Sequence, residues 1–221
     1  MEHGRIVYDG GTGEFFEDEK YKGQSEAAIL MGVSVYFFYE DQYTKSEEAG
    51  LKALALLHGV ENVLTSDTYS TLGCSAQRKG DLPDALDYIQ KGLAIDTKLG
   101  DRERMGSDLN TITGIYLAMD DAKSAEKYIL RAIQLQRAVD AGKPSARLGI
   151  ELGMASEVYL KLRKYDQALK YAQEAYDTAV KIGDKIVAAV RQCQIAAVLF
   201  DLQRYDEAEK TLCEAYSLAD G

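Results

Sequence analysis

The chain has no tryptophan, and only two histidines, two prolines and three cysteines in 221 residues. So few prolines favour long uninterrupted helices over many short strands and turns. Neither His3 nor His58 stands at metal-ligand spacing from a cysteine or another histidine, which argues against a zinc site. Cys74, Cys193 and Cys213 are isolated, and an odd number of thiols cannot close a complete intrachain framework, so a disulfide scaffold is excluded. Each lies in an apolar helical pattern and reads as a small, buried, reduced side chain, which leans towards a reducing, cytoplasmic compartment. No apolar run approaches the roughly 18 residues of a membrane span, and no signal-peptide pattern opens the chain, so this region inserts into no membrane. Bases are outnumbered, 26 Lys and Arg against 36 Asp and Glu, for a net charge of −10. That balance lacks the electrostatic footprint of a nucleic-acid binder.

What remains is ordinary for a folded protein: 46% apolar and 28% charged residues, enough chain to bury a core. The acidity is uneven. Residues 1–50 hold eleven acids and four bases, a net of −7 out of the total. Such an end keeps an array soluble; read more sharply, it is an acidic docking surface for a basic partner.

Internal similarity organises most of the sequence. Leu72, Gly73, Ala76, Gly80, Ala85, Ile89, Gly92 and Leu93 reappear 40 residues later as Ile112, Thr113, Tyr116, Asp120, Ala125, Ile129, Ala132 and Ile133. A step of 43 and another of 40 carry the same offsets to Ala155 and Ile195 and their followers, small with small and large with large. Within a unit, Ile112, Ile115, Tyr116 and Met119 fall on one helical face, and Ala168, Tyr171, Ala172, Ala175, Tyr176 and Ala179 fall on another. Short connections at Gly80-Asp81, Asp120-Asp121, Arg163-Lys164 and Gln203-Arg204 make each unit an antiparallel helix pair. Gly100-Asp101 and Gly183-Asp184 read as a helix end followed by the next N-cap, and Pro83 is tolerated in a first turn. Small residues such as Gly73, Ala85, Ala125, Ala168 and Ala208 let two axes approach closely, with tyrosines filling the space around them. A unit this short cannot bury its apolar face alone and must stack into a solenoid.

Lys164-Tyr165-Asp166-Gln167-Ala168 and Arg204-Tyr205-Asp206-Glu207-Ala208, with Leu72-Gly73 ahead of a turn, resemble the tetratricopeptide repeat, in a subtype with longer helices. The usual first-helix tryptophan and terminal proline are missing. The resemblance implies an all-α, right-handed α-solenoid of about five repeats and ten helices. The repeats are expected at about 25–58, 66–99, 102–139, 146–182 and 185–219. The first is degenerate and aromatic, with Tyr36 to Tyr39 in a row. Residues 1–24 are expected to be an irregular acidic tail, with Phe15-Phe16 as its anchor.

Chemistry is thin. Asp9-Gly10-Gly11-Thr12-Gly13 lacks the Gly-Lys-Ser/Thr ending of a phosphate loop, and paired carboxylates such as Asp120-Asp121 lie where capping explains them. No catalytic, cofactor or metal constellation is present, so the chain is expected to be no enzyme. By the resemblance, the first helix of each repeat lines a concave groove that takes a protein or peptide. The groove would present Ser70, Cys74, Arg78, Asn110, Thr111, Gly114, Met154, Glu157, Lys161, Gln194 and Ala197. This set is mixed, small and polar, without a basic stripe, and Asn110 and Arg78 alone do not assemble the lysine, asparagine and arginine combination of the family's clamp for acidic chaperone tails. Ile115-Tyr116-Leu117 and the run Leu152 to Tyr159 also resemble repeats in sensor regions of membrane-anchored bacterial transcription regulators. That likeness implies the alternative, a sensory or regulatory fragment in bacterial signal transduction, periplasmic in that case. At the C-terminal end, Leu199, Leu202, Leu212, Tyr216 and Leu218 supply more apolar surface than the preceding repeat can bury. A following repeat or a weak homodimer through this end is the expected cover.

Overall fold

The computed structural model describes residues 19–220, and among them the chain is ten helices and no strand. They form five antiparallel pairs in chain order: α1 (Glu19–Tyr39) with α2 (Tyr43–Leu57), α3 (Val63–Lys79) with α4 (Leu82–Leu99), α5 (Arg102–Ala118) with α6 (Ala122–Asp140), α7 (Ala146–Lys161) with α8 (Tyr165–Ile182), and α9 (Lys185–Asp201) with α10 (Tyr205–Asp220). Each pair packs on the next, which makes the α-solenoid. Two boundaries differ from the sequence pattern. The first helix starts at Glu19 rather than near Ser25, because helix-compatible residues precede the apolar stripe. The second pair starts at Val63 rather than 66, because Asn62 caps it by accepting from the Thr65 amide at 2.9 Å. His3, the Asp9–Gly13 stretch and the Phe15-Phe16 pair lie outside the described residues.

One turn geometry recurs in all five pairs. Asp41, Gly80, Asp120, Arg163 and Gln203 have φ between 56° and 89°, the left-handed conformation that ends the first helix. The next residue's amide then reaches back to a carbonyl one turn earlier: Gln42 to Phe37, Asp81 to Ala76, Asp121 to Tyr116, Lys164 to Tyr159 and Arg204 to Leu199, all at 2.9 Å. This is the Schellman pattern, and it satisfies carbonyls that would otherwise lack a donor. N-caps fall where the sequence puts them: Asp101 and Asp184 accept from Arg104 and Val187 amides at 3.1 and 2.9 Å.

The core runs along the interface inside each pair. Ala85, Ala125, Ala132, Ala168, Ala172 and Ala175 are fully buried, with Leu72, Ile89, Ile112, Ile129 and Leu152 around them. Tyrosines complete it. Tyr116 stacks on Tyr128 at 5.4 Å and Tyr159 on Tyr171 at 5.2 Å between ring centroids. The α3 position matching Tyr116 is Ala76, and Tyr88 stacks on Tyr69 instead.

Two expectations are corrected. Cys193 and Cys213 are exposed, and only Cys74 is partly buried; α9 and α10 are followed by no further described helix that would cover those positions. Leu199 is buried against Ala172, Ile195 and Ala208, and Leu202 packs near Tyr159, so neither adds to the outer apolar face. Leu212 and Tyr216 do, at 49% and 73% exposure.

Glycines separate these constraints. At Gly80 a Cβ meets nothing, yet the backbone is left-handed, so Gly80→Ala is expected to cost about 1 kcal/mol. At Gly73 a Cβ would lie 2.5 Å from Ile89, so Gly73→Ala is expected to cost more, about 1–3 kcal/mol of overpacking. Gly114 sits inside α5 with only the Gln77 amide at 3.9 Å, and Gly114→Ala should gain about 0.5–1 kcal/mol of helix propensity. Urea unfolding of the three variants checks the two signs.

Candidate functional site

The first helices of successive pairs touch one another, α1 to α3, α3 to α5, α5 to α7 and α7 to α9, whereas the second helices of successive pairs do not. The layer whose members touch is the inside of the bend, so the odd-numbered helices line the concave face. α5 and α7 have neighbours on both sides and their partner helices behind them. Of the expected groove residues, Arg78, Glu157, Lys161 and Ala197 are exposed, and Ser70, Cys74, Asn110, Thr111, Gly114, Met154 and Gln194 are partly buried. Ile150, unremarked in the sequence, is a large apolar side chain on α7 at 50% exposure.

Several of these residues are engaged in the joints between repeats. The positions four residues before Leu72, Ile112, Ala155 and Ile195 hold Thr68, Asp108, Glu151 and Arg191; the positions two before hold Ser70, Asn110, Gly153 and Cys193. The second set meets the first across each joint. Ser70 Oγ donates to Asp108 Oδ1 at 3.2 Å, and Asn110 Nδ2 donates to Glu151 Oε1 at 3.4 Å. At the third joint the Arg191 guanidinium lies against the α7 backbone at Gly153, where a Cβ would be 2.3 Å from Nη1, and it donates to Gln194 Oε1 at 2.8 Å. Further arginines reach back the same way. Arg104 Nε donates to Asp67 Oδ1 at 3.0 Å, and Arg147 Nη1 donates to the Glu103 carbonyl at 2.8 Å. Lys161, one of the expected groove residues, pairs with Asp120 of the preceding turn at 3.1 Å.

The joints hold buried acids. Asp96, Asp108 and Glu151 are buried, and both Asp96 oxygens, Asp108 Oδ2 and Glu151 Oε2 have no hydrogen-bond donor. Asp96 faces Asp108, so a proton on one carboxyl is the donor the pair otherwise lacks. Burial, then the Asp96 charge, pushes Asp108 up from 3.8 to about 7. Burial pushes Glu151 up from 4.5 to about 7, against the Asn110 hydrogen bond and the Arg147 charge. Burial and then the Asp108 charge also raise the Cys74 thiol, which disfavours its nucleophilic form. The sequence reading missed Asp96, Asp108, Glu151, Arg104, Arg147 and Arg191. The signal was available: charged residues recur at repeat positions whose neighbours are core. Among the described residues no three His, Cys, Asp or Glu side chains form a group able to hold a metal.

Residues 150–220 match the family model described as tetratricopeptide repeat. No curated protein matches the chain. Among solved structures, BtubC (BKLC) from P. vanneervenii is similar at 16% identity, covering 91% of this chain and 90% of that one, with a TM-score of 0.74. A putative kinesin light chain of nearly identical TPR-like repeats from Podosopora anserina is similar at 12% identity, covering 88% and 95%, with a TM-score of 0.76. A Signal Transduction ATPase with Numerous Domains with a tetratricopeptide repeat sensor, from Pyrococcus horikoshii, is 19% identical over 94% of this chain but only 32% of its own, with a TM-score of 0.76. At these identities the likeness is one of fold.

The raised carboxyls fix the sign of the pH dependence. A group whose folded pKa lies above its unfolded value binds more protons when folded, so stability is greatest below the unfolded value and falls as pH rises through the folded one. Asp108 and Glu151 therefore lower stability between about pH 5 and about pH 8. Asp101 and Asp121 act oppositely and at lower pH: hydrogen bonds from the Arg104 amide and from Ser124 hold them below the usual range. Thermal midpoints are expected to fall from about pH 5.5 to about pH 8, and Glu151→Gln should flatten that slope. A parent midpoint that rises over this interval contradicts the assignment.

Proposed function

We propose that the chain, whose helical fold is that of tetratricopeptide-repeat proteins and whose residues 150–220 match that family's model, is a non-catalytic scaffold binding a protein or peptide segment in its concave groove, since this fold generally mediates protein–protein interaction. The observation that carries this reading is the exposed groove surface of α5 and α7. These helices are packed laterally and from behind, yet Ile150 on α7 stays half exposed, one turn before partly buried Met154, at a small cavity it lines with Ala146, Gly149, Ala179, Ile182 and Val187. An apolar side chain held open on a helix that also carries exposed Glu157 and Lys161 gives a bound segment both area and direction. The groove residues set out from the sequence are the proposed contacts, and the repeat boundaries are the proposed units of the scaffold. The region binds no nucleic acid and performs no chemistry of its own.

A second reading, a sensory or regulatory module of a bacterial signalling protein, is favoured by the likeness to the ATPase whose tetratricopeptide repeats are described as a sensor. We also assign weak self-association to the α9–α10 end, where Phe200, Tyr205, Leu212 and Tyr216 are exposed.

Tandem affinity capture with mass spectrometry identifies the partner, and variants locate it. Ile150→Glu, and Arg78→Glu on the same face, are expected to weaken binding about tenfold or more, while Lys170→Glu, on the exposed side of α8, leaves it within about twofold. Equal losses from both faces would exclude the groove. Tyr216→Glu should abolish any concentration-dependent rise in mass in sedimentation without altering partner binding.

A further inference from the structure

Fully buried carboxyls with undonated oxygens occupy the same repeat position at two successive joints. Inside each pair the contact is apolar, made by alanines, leucines and stacked tyrosines. The acids lie where one pair meets the next, so the free energy of ionising them falls on the joints rather than on the pairs. We propose that the α3–α5 and α5–α7 joints are a proton-operated hinge, closed when Asp108 and Glu151 are neutral and loosened when both are ionised.

The groups around each acid determine the direction. Asp108 is met by Asp96 from α4 and by Asp67, Cys74 and Ser70 from α3. The nearby cation, Arg104 on its own helix, is already shared between Asp67 and Asp101. Ionised Asp108 thus faces further acids and no uncommitted base. Glu151 is met by Asn110 from α5, Asp140 from α6 and Arg147 from its own helix, while Arg191 of α9 lies against the α7 backbone at Gly153 and donates to Gln194. Arg147 is bonded to the Glu103 carbonyl, and Asn110 supplies one long hydrogen bond. An ionised Glu151 is therefore under-compensated. Water is the cheapest remaining donor, and it reaches these oxygens only when the joint parts.

Gly92 and Gly106 show how closely the joints shut. A Cβ at Gly92 would stand 3.6 Å from Asp108 Oδ2 and 3.5 Å from Ser70 Oγ; at Gly106 it would stand 3.3 Å from Arg147 Nη1 and 4.0 Å from Glu151 Oε1. In the closed state Asp108 Oδ2 and Glu151 Oε2 are themselves shielded from solvent. Because the odd helices line the groove, parting these joints alters its curvature over Ser70, Asn110 and Thr111. The hinge does not depend on what the groove binds.

Amide hydrogen exchange on the full chain tests it at about pH 5.5 and about pH 8, corrected for intrinsic rates. Protection in α5 and in the facing turns of α3 and α7 is expected to fall more than about tenfold at the higher pH, with α10 unchanged relative to its own end fraying. In the Asp108→Asn, Glu151→Gln double variant, protection there should be the same at both pH values. Unchanged protection in the parent, or an equal fall in the double variant, overturns the hinge. Should the double variant not fold, the carboxyl carbon resonances of the parent decide: Asp108 and Glu151 midpoints above about 6 support the hinge, and midpoints below about 5 overturn it.

Discussion

Close approach of two helices at alanine and glycine is the contact on which this architecture rests. Where Gly73 meets Ile89 and Ala85 there is no room for one more carbon. The same economy repeats at Ala125, Ala168 and Ala208, each buried to within a few per cent. Pairs closed this tightly are thin, with much of the apolar surface of both helices facing out of the pair. Stacking is then obligatory, and with it the two-layer arrangement in which odd helices touch along the inside of the bend. The left-handed turn residue of each pair serves the same end. Arg163 and Gln203 accept an unfavourable φ because the turn must reverse the chain in two residues to bring the small positions opposite one another.

Stacking creates a second problem, because lateral contacts between first helices form at positions that are neither core nor surface. Here the chain places Ser70 against Asp108, Asn110 against Glu151, and Gly153 against Arg191. These contacts differ in chemistry from joint to joint: a hydroxyl on a carboxyl, an amide on a carboxyl, and a guanidinium on bare backbone. Burial of such groups costs stability. Raising Glu151 from 4.5 to about 7 corresponds to a few kcal/mol at most. That is a sizeable fraction of the 5–15 kcal/mol that separates folded from unfolded states of typical domains. Protonation relieves most of it, which is why two buried acids are tolerable in a protein with no spare cation beside them.

Legibility from the sequence follows the same division. The helix ends and the features inside a pair were readable because they rest on local rules. The Gly-Asp boundaries at 100–101 and 183–184, the small residues, and the two-residue turns follow from helix ends and helix spacing alone. The ends of the array were less readable. The helix already runs at Glu19, ahead of the apolar pattern, and Cys193 and Cys213 carry core-like spacing yet are exposed, with no further helix among the described residues packed over them. The joints were missed for another reason. Asp108 and Glu151 look like ordinary surface acids, and only the placement of α3, α5 and α7 side by side shows that their repeat position is enclosed. Lys161 shows the converse: its exposure on a first helix was legible, its commitment to Asp120 was not.

The groove and the joints therefore share side chains. Ser70, Asn110 and Gln194 belong to the proposed groove, yet each already spends a hydrogen-bonding group on Asp108, Glu151 or Arg191. A ligand that recruits the Asn110 amide takes a donor away from Glu151, and the acid must then hold its proton or find water. One that rests only on Ile150, Met154 or Thr111 leaves the joints as they are, since Thr111 bonds within its own helix to the Ser107 carbonyl. Polar and apolar anchoring are thus not equivalent in this solenoid. The first alters the balance that sets its curvature, and the second reads a surface already fixed by the packing beneath it.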